Sequence, residues 1–367
     1  MKICILTQTF NPRAGAGVFT SNIVDGVMRD RPGVEFSIIT GEDYIKPSVH
    51  KILKNWFYIR NKIREADLVH AIDGYPYGVI ACLANIGISK SVVITTIGSG
   101  SIRKLGSFGW RPCLLRWAYR RATRVTAISQ YVAGEIKKVL PRLSIKVINP
   151  GVDYDFYAGK SNKDGSDIYT GFEYIITQGE FKRRKGYTEI LPIVKKIMDV
   201  YPEIRYIIVA DARDNRPYQK ELYALMDKLG IRSKVIIKSG LSQEELREVY
   251  RNAILYLTLP VNIDGDIEGF GMAITEAAAT GTPAIVGKGS GADDAVSDGQ
   301  SGFLVDGEDE EQVVEKILSI VDNKQLRERL SNGAKKWASE NSWENKVKQY
   351  IDLYEKNINT HISRPYC

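Results

Sequence analysis

Cysteine, histidine and long apolar runs are all scarce in this chain of 367 residues. The four cysteines, Cys4, Cys82, Cys113 and Cys367, lie far apart and form no Cys-x-x-Cys pair and no zinc spacing. They fit reduced thiols of a cytosolic protein. Three histidines argue against a multi-histidine metal enzyme. No apolar run approaches the roughly 18 residues that a membrane-spanning helix needs. The opening MKICILTQTF reads as a short strand, not a signal-peptide core. With 44% hydrophobic and 26% charged residues, the composition excludes disordered and fibrous classes. The length suggests two domains of about 150–200 residues.

Acidic residues are absent from one long stretch, between Asp73 and Glu135. Residues 1–160 hold 23 Lys and Arg against 11 Asp and Glu, whereas 161–367 hold 28 against 33. Within Ser101–Arg124 the cations Arg103, Lys104, Arg111, Arg116, Arg120, Arg121 and Arg124 alternate with Leu105, Phe108, Trp110, Leu114, Leu115, Trp117 and Tyr119. Rings at an interface and cations on anionic headgroups suit a membrane surface, here the inner face of the plasma membrane. A helix packed on the core with a solvated basic face is the plain alternative, and nucleic acid fits least. Arg103, Lys104, Trp110, Arg116, Trp117, Arg120 and Arg121 are therefore candidates for a membrane or acceptor surface.

What the chain has in plenty is alternation of strands and helices. Lys2–Thr7, Val34–Thr40, Asp67–Ala71, Ser91–Thr96, Arg124–Ile128 and Ile145–Ile148 read as strands, with helices between them such as Val18–Arg29. Ser129 caps a helix over Gln130–Val139, and Pro141 follows its end. A polar stretch, Gly159–Ser166, reads as a linker. The alternation then restarts: Tyr174–Thr177, Arg205–Val209, Lys234–Ile237, Ala253–Leu257, Pro283–Val286 and Phe303–Val305 are expected strands. Tyr187–Val200 and Ser242–Tyr250 are among the expected helices, and Glu310–Val321, Lys324–Ser339 and Trp343–Lys356 close the chain. This is an α/β pattern of two doubly wound parallel sheets facing across a cleft. The domains run 1–160 and 161–342, with a last helix about 343–358 packing back on the first. Ligands bind such sheets at the carboxyl ends of the strands, where helix N-termini converge.

Two segments carry chemistry. In Glu268-Gly-Phe-Gly-Met-Ala-Ile-Thr-Glu276, glycines turn the chain sharply before a helix over Met272–Thr280. Free amides at that helix start invite an anion such as a diphosphate. Glu276, one turn inside, can accept hydrogen bonds from the vicinal diol of a ribose, and Glu268, before the turn, from the hydroxyls of a sugar. In Gly179-Glu-Phe-Lys-Arg-Arg-Lys-Gly186, four cations precede a glycine that opens a helix. Lys185 can meet phosphate as a point charge, and Arg183 or Arg184 can clamp it. Asp264-Gly-Asp266 matches a short metal motif but reads as a solvated loop. His70 reads as a strand residue at the cleft edge.

Together these segments resemble the retaining nucleotide-sugar glycosyltransferases of the GT-B fold, specifically glycosyltransferase family four. The Glu268–Glu276 run is similar to that family's Glu-(seven residues)-Glu motif. Ser290–Val296, with Asp294 in the acidic place, Ser301–Val305, Ser342-Trp343-Glu344, Asn149–Asp153 and Asp67–Ala71 are similar to further family segments. Gly15–Gly17 sits where the family has a glycine loop.

The resemblance implies a retaining, metal-independent hexosyltransferase. It would move a sugar from a UDP- or GDP-sugar to a hydroxyl of a glycan or lipid-linked acceptor, with no cofactor and no nucleic acid. Gly17, Arg183, Arg184, Lys185, Leu241, Glu268, Gly271, Met272 and Glu276 would bind the donor. Glu268 and Lys185 would act in catalysis, and Asp73 is the candidate for meeting the acceptor. Two departures stand out: Glu180 where the family has arginine, and Ile97 where it often has histidine. They keep open a catalytically inactive nucleotide-sugar-binding partner subunit, or another enzyme of this fold such as an epimerase. A nicotinamide dehydrogenase is disfavoured, because Gly15-Ala-Gly17 lacks the third glycine of a dinucleotide fingerprint.

Overall fold

The computed structural model describes residues 1–11, 15–45, 49–103, 105–159, 171–210 and 217–358. The chain divides into two compact units, one of Met1–Pro150 together with the stretch from Trp343 onward, the other of Gly151–Ser342. The expected linker falls largely outside the described residues.

The first unit runs β1 (Lys2–Thr7), α1 (Gly15–Asp30), β2 (Glu35–Thr40), α2 (Val49–Glu65), β3 (Leu68–Ile72), α3 (Val79–Ala84), β4 (Ser91–Thr96), α4 (Ser99–Ile102), α5 (Trp110–Arg121), β5 (Arg124–Ala127), α6 (Gln130–Val139) and β6 (Ile145–Val147). Its six strands form one sheet in the order β2-β1-β3-β4-β5-β6, every pair parallel. β3 and β4 are buried along their whole length, as strands covered by helices on both faces must be. Ser129 caps α6 as its sequence predicts, its hydroxyl accepting from the Val132 amide at 3.2 Å.

The second unit runs α7 (Tyr154–Ala158), β7 (Tyr174–Gln178), α8 (Tyr187–Val200), β8 (Arg205–Val209), α9 (Pro217–Lys228), β9 (Val235–Lys238), α10 (Gln243–Arg251), β10 (Leu255–Thr258), α11 (Met272–Thr280), β11 (Ala284–Gly287), β12 (Gly302–Val305), α12 (Glu310–Asp322) and α13 (Lys324–Glu340). Its sheet is also six-stranded and parallel, in the order β12-β11-β10-β7-β8-β9. Ile190, Ile193, Val194 and Ile197 of α8 are fully buried in a core shared with Ile175, Tyr206 and Ile208 of the sheet. That spacing is one helical stripe against a strand layer, and burying each such side chain is worth roughly 1.5–3 kcal/mol.

A final helix, α14 (Trp343–Ile358), belongs to the first unit. Phe19 of α1 meets Trp343 and Tyr350 edge-on at 5.7 and 6.1 Å between centroids. His70 lies here, fully buried, and not at a cleft edge as the sequence suggests. One ring nitrogen meets the Tyr354 hydroxyl at 2.8 Å and the other the Thr95 hydroxyl at 2.7 Å. The covering helix comes from the far end of the chain, so no local pattern around His70 announces its burial.

Each sheet has one place where the chain reverses its direction of growth. In the first sheet it lies between β1 and β3, in the second between β7 and β10. Loops leaving the carboxyl ends of those strand pairs are where doubly wound sheets build ligand sites.

Candidate functional site

In the second unit, the loops after β7 and β10 are the two segments singled out from sequence. Gly186 joins them. It opens α8 at φ 71°, and a Cβ there would lie 1.7 Å from the Leu259 carbonyl oxygen, so only glycine allows the approach. The Arg184 carbonyl then accepts from the Val261 amide at 3.0 Å. Lys185 and Arg184 are thereby carried to Glu268. One carboxylate oxygen, Oε2, accepts from Lys185 Nζ at 2.6 Å and from Arg184 Nη1 at 2.7 Å. Arg184 Nε also lies 3.5 Å from Asp266. Glu268, Lys185 and Arg184 side chains are only 12%, 15% and 18% exposed, so these charges act on one another with little screening. Burial pushes the Glu268 carboxyl up, but the two cations outweigh it and hold the group below the ordinary glutamate range.

Gly271 at φ 85° turns the chain into α11, whose first residue is Met272. The helix runs over the residues its sequence predicts, and its free N-terminal amides lie at the carboxyl end of the sheet. The Glu268 carbonyl is pinned from behind by the Gly291 amide at 2.9 Å. Asp293 orders that neighbouring loop, accepting from the Gly289 and Ser290 amides at 3.1 and 3.3 Å.

Glu276, one turn into α11, has quite different company. Its Oε2 accepts from the Tyr250 hydroxyl at 3.3 Å, and the Tyr157 hydroxyl also acts on it. Burial with only phenols beside it raises its carboxyl to about 7. Neither tyrosine is signalled by the sequence: Tyr250 ends the expected helix Ser242–Tyr250, and Tyr157 lies just before the expected linker. Leu241 is half-buried just before Ser242, whose hydroxyl and Glu245 form the capping box of α10.

The remaining candidates fall elsewhere. Arg183 points away from Glu268, donating to Glu221 at 3.2 Å and lying 4.9 Å over the Tyr218 ring. Glu180, one of the two departures from the family pattern, pairs with Lys182 at 2.5 Å. Asp266 faces Arg184 and is not simply a solvated loop residue.

In the first unit, Gly17 is buried near the start of α1, where a Cβ would collide with the Asn11 carbonyl. Asp73 follows β3 at φ 86°, ψ 145°, a region that side chains other than glycine rarely occupy. Its carboxylate accepts from the Gly74 amide at 2.9 Å and from the Ser101 hydroxyl, while Tyr119 donates to the Ser101 carbonyl at 2.7 Å. Ile97 is half-buried after β4.

In the basic aromatic segment, Leu105, Leu115, Ala118 and Tyr119 are buried. Phe108 and Trp110 are exposed, as are Arg103, Arg120 and Arg121. Arg116 donates to the Leu105 carbonyl at 3.2 Å and ties its own loop, and Trp117 is half-buried. Lys104 lies outside the described residues. No described helix is long and apolar enough to cross a membrane.

Comparison with known proteins agrees with this layout. The family of glycosyl transferases group 1 matches residues 160–337, and glycosyltransferase family 4 matches residues 22–156. An uncharacterised glycosyltransferase of Methanocaldococcus jannaschii is 22% identical over 354 residues, covering 91% of this chain and 93% of that protein. A D-inositol 3-phosphate glycosyltransferase of Corynebacterium urealyticum is 29% identical over 57% of this chain, which spans about half (50%) of that relative's length. The crystal structure of Anabaena HepE in complex with UDP superposes with a TM-score of 0.80 at 20% identity, over 97% of this chain and 100% of that one. That likeness shows the fold, which is GT-B.

Proposed function

The chain belongs to the group 1, family 4 glycosyltransferases, and from that premise we propose that it is a retaining hexosyltransferase moving a sugar from a UDP- or GDP-sugar to a hydroxyl of a glycan or lipid-linked acceptor. One observation carries the donor half of this reading. Two poorly exposed cations, Lys185 and Arg184, converge on Glu268 beside the glycine turn into α11. Glu268 engages both cations. An arriving diphosphate competes for them and docks against the amides of Gly271 and Met272, leaving Glu268 to accept hydroxyls of the sugar. As the sugar–phosphate bond breaks, negative charge grows on the leaving diphosphate, and fixed cations and amides already face it. A departing phosphate oxygen takes the acceptor's proton, so attack comes from the face the leaving group vacates and configuration is retained. Asp73, held by Ser101 and Gly74 at the growth reversal of the first sheet, is the residue we assign to the acceptor.

The experiment is direct. Incubation with UDP-, GDP- and ADP-sugars, followed by mass spectrometry and anomeric proton NMR, is expected to yield a glycoside of retained configuration. Conversion of the donor without an acceptor into an epimer would replace this reading with the epimerase. No turnover in a folded, donor-binding protein would make it the inactive partner subunit.

A lipid-linked acceptor is the form favoured by the exposed Phe108 and Trp110, the latter with Arg111 5.1 Å over its ring, and by the exposed Arg103, Arg120 and Arg121 of the same segment. Rings and cations presented together suit an anionic bilayer. Binding to vesicles containing anionic lipid is expected to fall when Arg120 and Arg121 become Glu; unchanged binding removes the membrane from the proposal.

A further inference from the structure

We propose that the hydroxyls of Tyr250 and Tyr157 are positioning groups that aim the Glu276 carboxylate at a vicinal diol and so set recognition of the donor's ribose. The inference rests on the donor-site reading above and deepens it. Tyr250 lies in α10, fully buried, with its hydroxyl 3.3 Å from Glu276 Oε2. Tyr157 lies in α7, and its hydroxyl donates to Gln243 Oε1 at 2.9 Å while also acting on Glu276. A phenol has one proton, so Tyr157 serves either Gln243 or Glu276 at a given moment. α7 is fastened for this task. Arg247 donates to the Phe156 carbonyl at 3.2 Å, Arg251 to the Tyr157 carbonyl at 3.2 Å, and Glu248 pairs with both arginines at 3.1 and 2.7 Å. That clamp holds a five-residue helix where its tyrosine reaches the site.

Among the described residues, the titratable groups acting on Glu276 are phenols. Tyr157 faces it from α7, with the capping Asp153 acting on Tyr157 itself; Tyr250 faces it from α10, and Tyr256 from β10. Among the described residues no cation offsets its burial. A carboxylate accepts from two ribose hydroxyls only while ionised. Here the donated phenol protons favour the ionised form, against burial that raises the carboxyl to about 7. Orientation and charge state of Glu276 therefore both run through the tyrosines.

The test is calorimetric titration of the purified full chain with UDP, GDP and ADP. The tightest binder is then compared with its 2′,3′-dideoxy form. The ratio of the two dissociation constants cancels phosphate titration and reads the diol alone. In the unaltered protein the ratio is expected to shrink as pH drops below about 7. Tyr250→Phe should reduce it about tenfold at pH 7, the worth of a hydrogen bond to a charged group, and move the fall to higher pH. Tyr157→Phe should act in the same direction by less, and it carries the test if Tyr250→Phe does not fold. Glu276→Gln should remove the pH dependence. An unchanged ratio and pH profile in both tyrosine variants, with affinity lost in Glu276→Ala, overturns the inference and leaves the donor site standing. Failure of any nucleoside diphosphate to bind, or indifference of binding to Glu276→Ala, overturns both.

Discussion

Glu268 and Glu276 flank one glycine turn, both are poorly exposed, and their surroundings differ in kind. Glu268 has two cations on a single oxygen; Glu276 has hydroxyls. Burial raises both carboxyls, yet only the first is brought back below the ordinary range, while the second stands at about 7. The lesson is that matching residues of one motif are set by what faces them from other elements. α8's leading loop supplies cations to one, and α10 with α7 supplies phenols to the other. The first suits a place where negative charge develops and must be met by fixed positive charge. The second suits a neutral diol, met by hydrogen bonds.

Removing the cations breaks the comparison most severely. Arg184→Ala with Lys185→Ala leaves Glu268 poorly exposed without either partner, and its carboxyl should rise above the ordinary range. Turnover is expected to fall more than a hundredfold in a folded protein, with each single variant losing more than tenfold, as should Glu268→Gln. Steady-state kinetics with a fixed nucleotide sugar measures this, and near-normal rates in all four variants would sink the site assignment.

The other carboxylate should behave differently. Glu276→Ala is expected to raise the donor KM about tenfold and to change kcat by less, since ribose contacts are equal in ground and transition states. A loss in kcat matching that of Glu268→Gln would mean the two glutamates share one role.

How much of this was legible in sequence follows from the range of each interaction. Strand β1, helix α6, helix α8 and helix α11 begin and end where the sequence reading places them, over Lys2–Thr7, Gln130–Val139, Tyr187–Val200 and Met272–Thr280, because caps and glycines act locally. The glutamates and Lys185 were legible for the same reason: glycines at fixed offsets mark a backbone that turns toward a ligand. The partner of Glu268 was legible only as a choice, since Arg183 and Arg184 are neighbours and a three-residue turn decides which points inward. Tyr157 and Tyr250 were invisible, because a buried tyrosine on a helix carries no mark of where its hydroxyl goes. His70 was misread for the same cause, its cover arriving with α14.

His70 extends the comparison to a group of opposite charge. Like Glu276 it meets only hydroxyls, here Tyr354 and Thr95, and burial drives its pKa down to about 3. The folded protein thus keeps the ring neutral, whereas the unfolded chain protonates it near 6.5. Its contribution is complete above pH 6.5 and is lost as pH falls toward 3. Melting temperatures between pH 7 and 5 should therefore drop more steeply in the unaltered protein than in His70→Gln, which starts lower but carries no titrating group. Parallel slopes would show that burial does not hold the ring neutral in the folded protein.

The smallest effect is expected at Arg183, and it sharpens the comparison because Arg184 is its neighbour. The Arg183 guanidinium is exposed, paired with Glu221 and laid over Tyr218, so its loss forfeits a surface ion pair and a ring contact. Such interactions are worth about 0.5–1 kcal/mol each. Arg183→Ala should lower the melting temperature slightly and leave turnover within about twofold, while Arg184→Ala loses more than tenfold. Equal losses in the two variants would mean that the loop rearranges when donor binds and that both guanidiniums reach phosphate. The contrast between a cation-held and a hydroxyl-held carboxylate would then not carry over to the donor-bound protein.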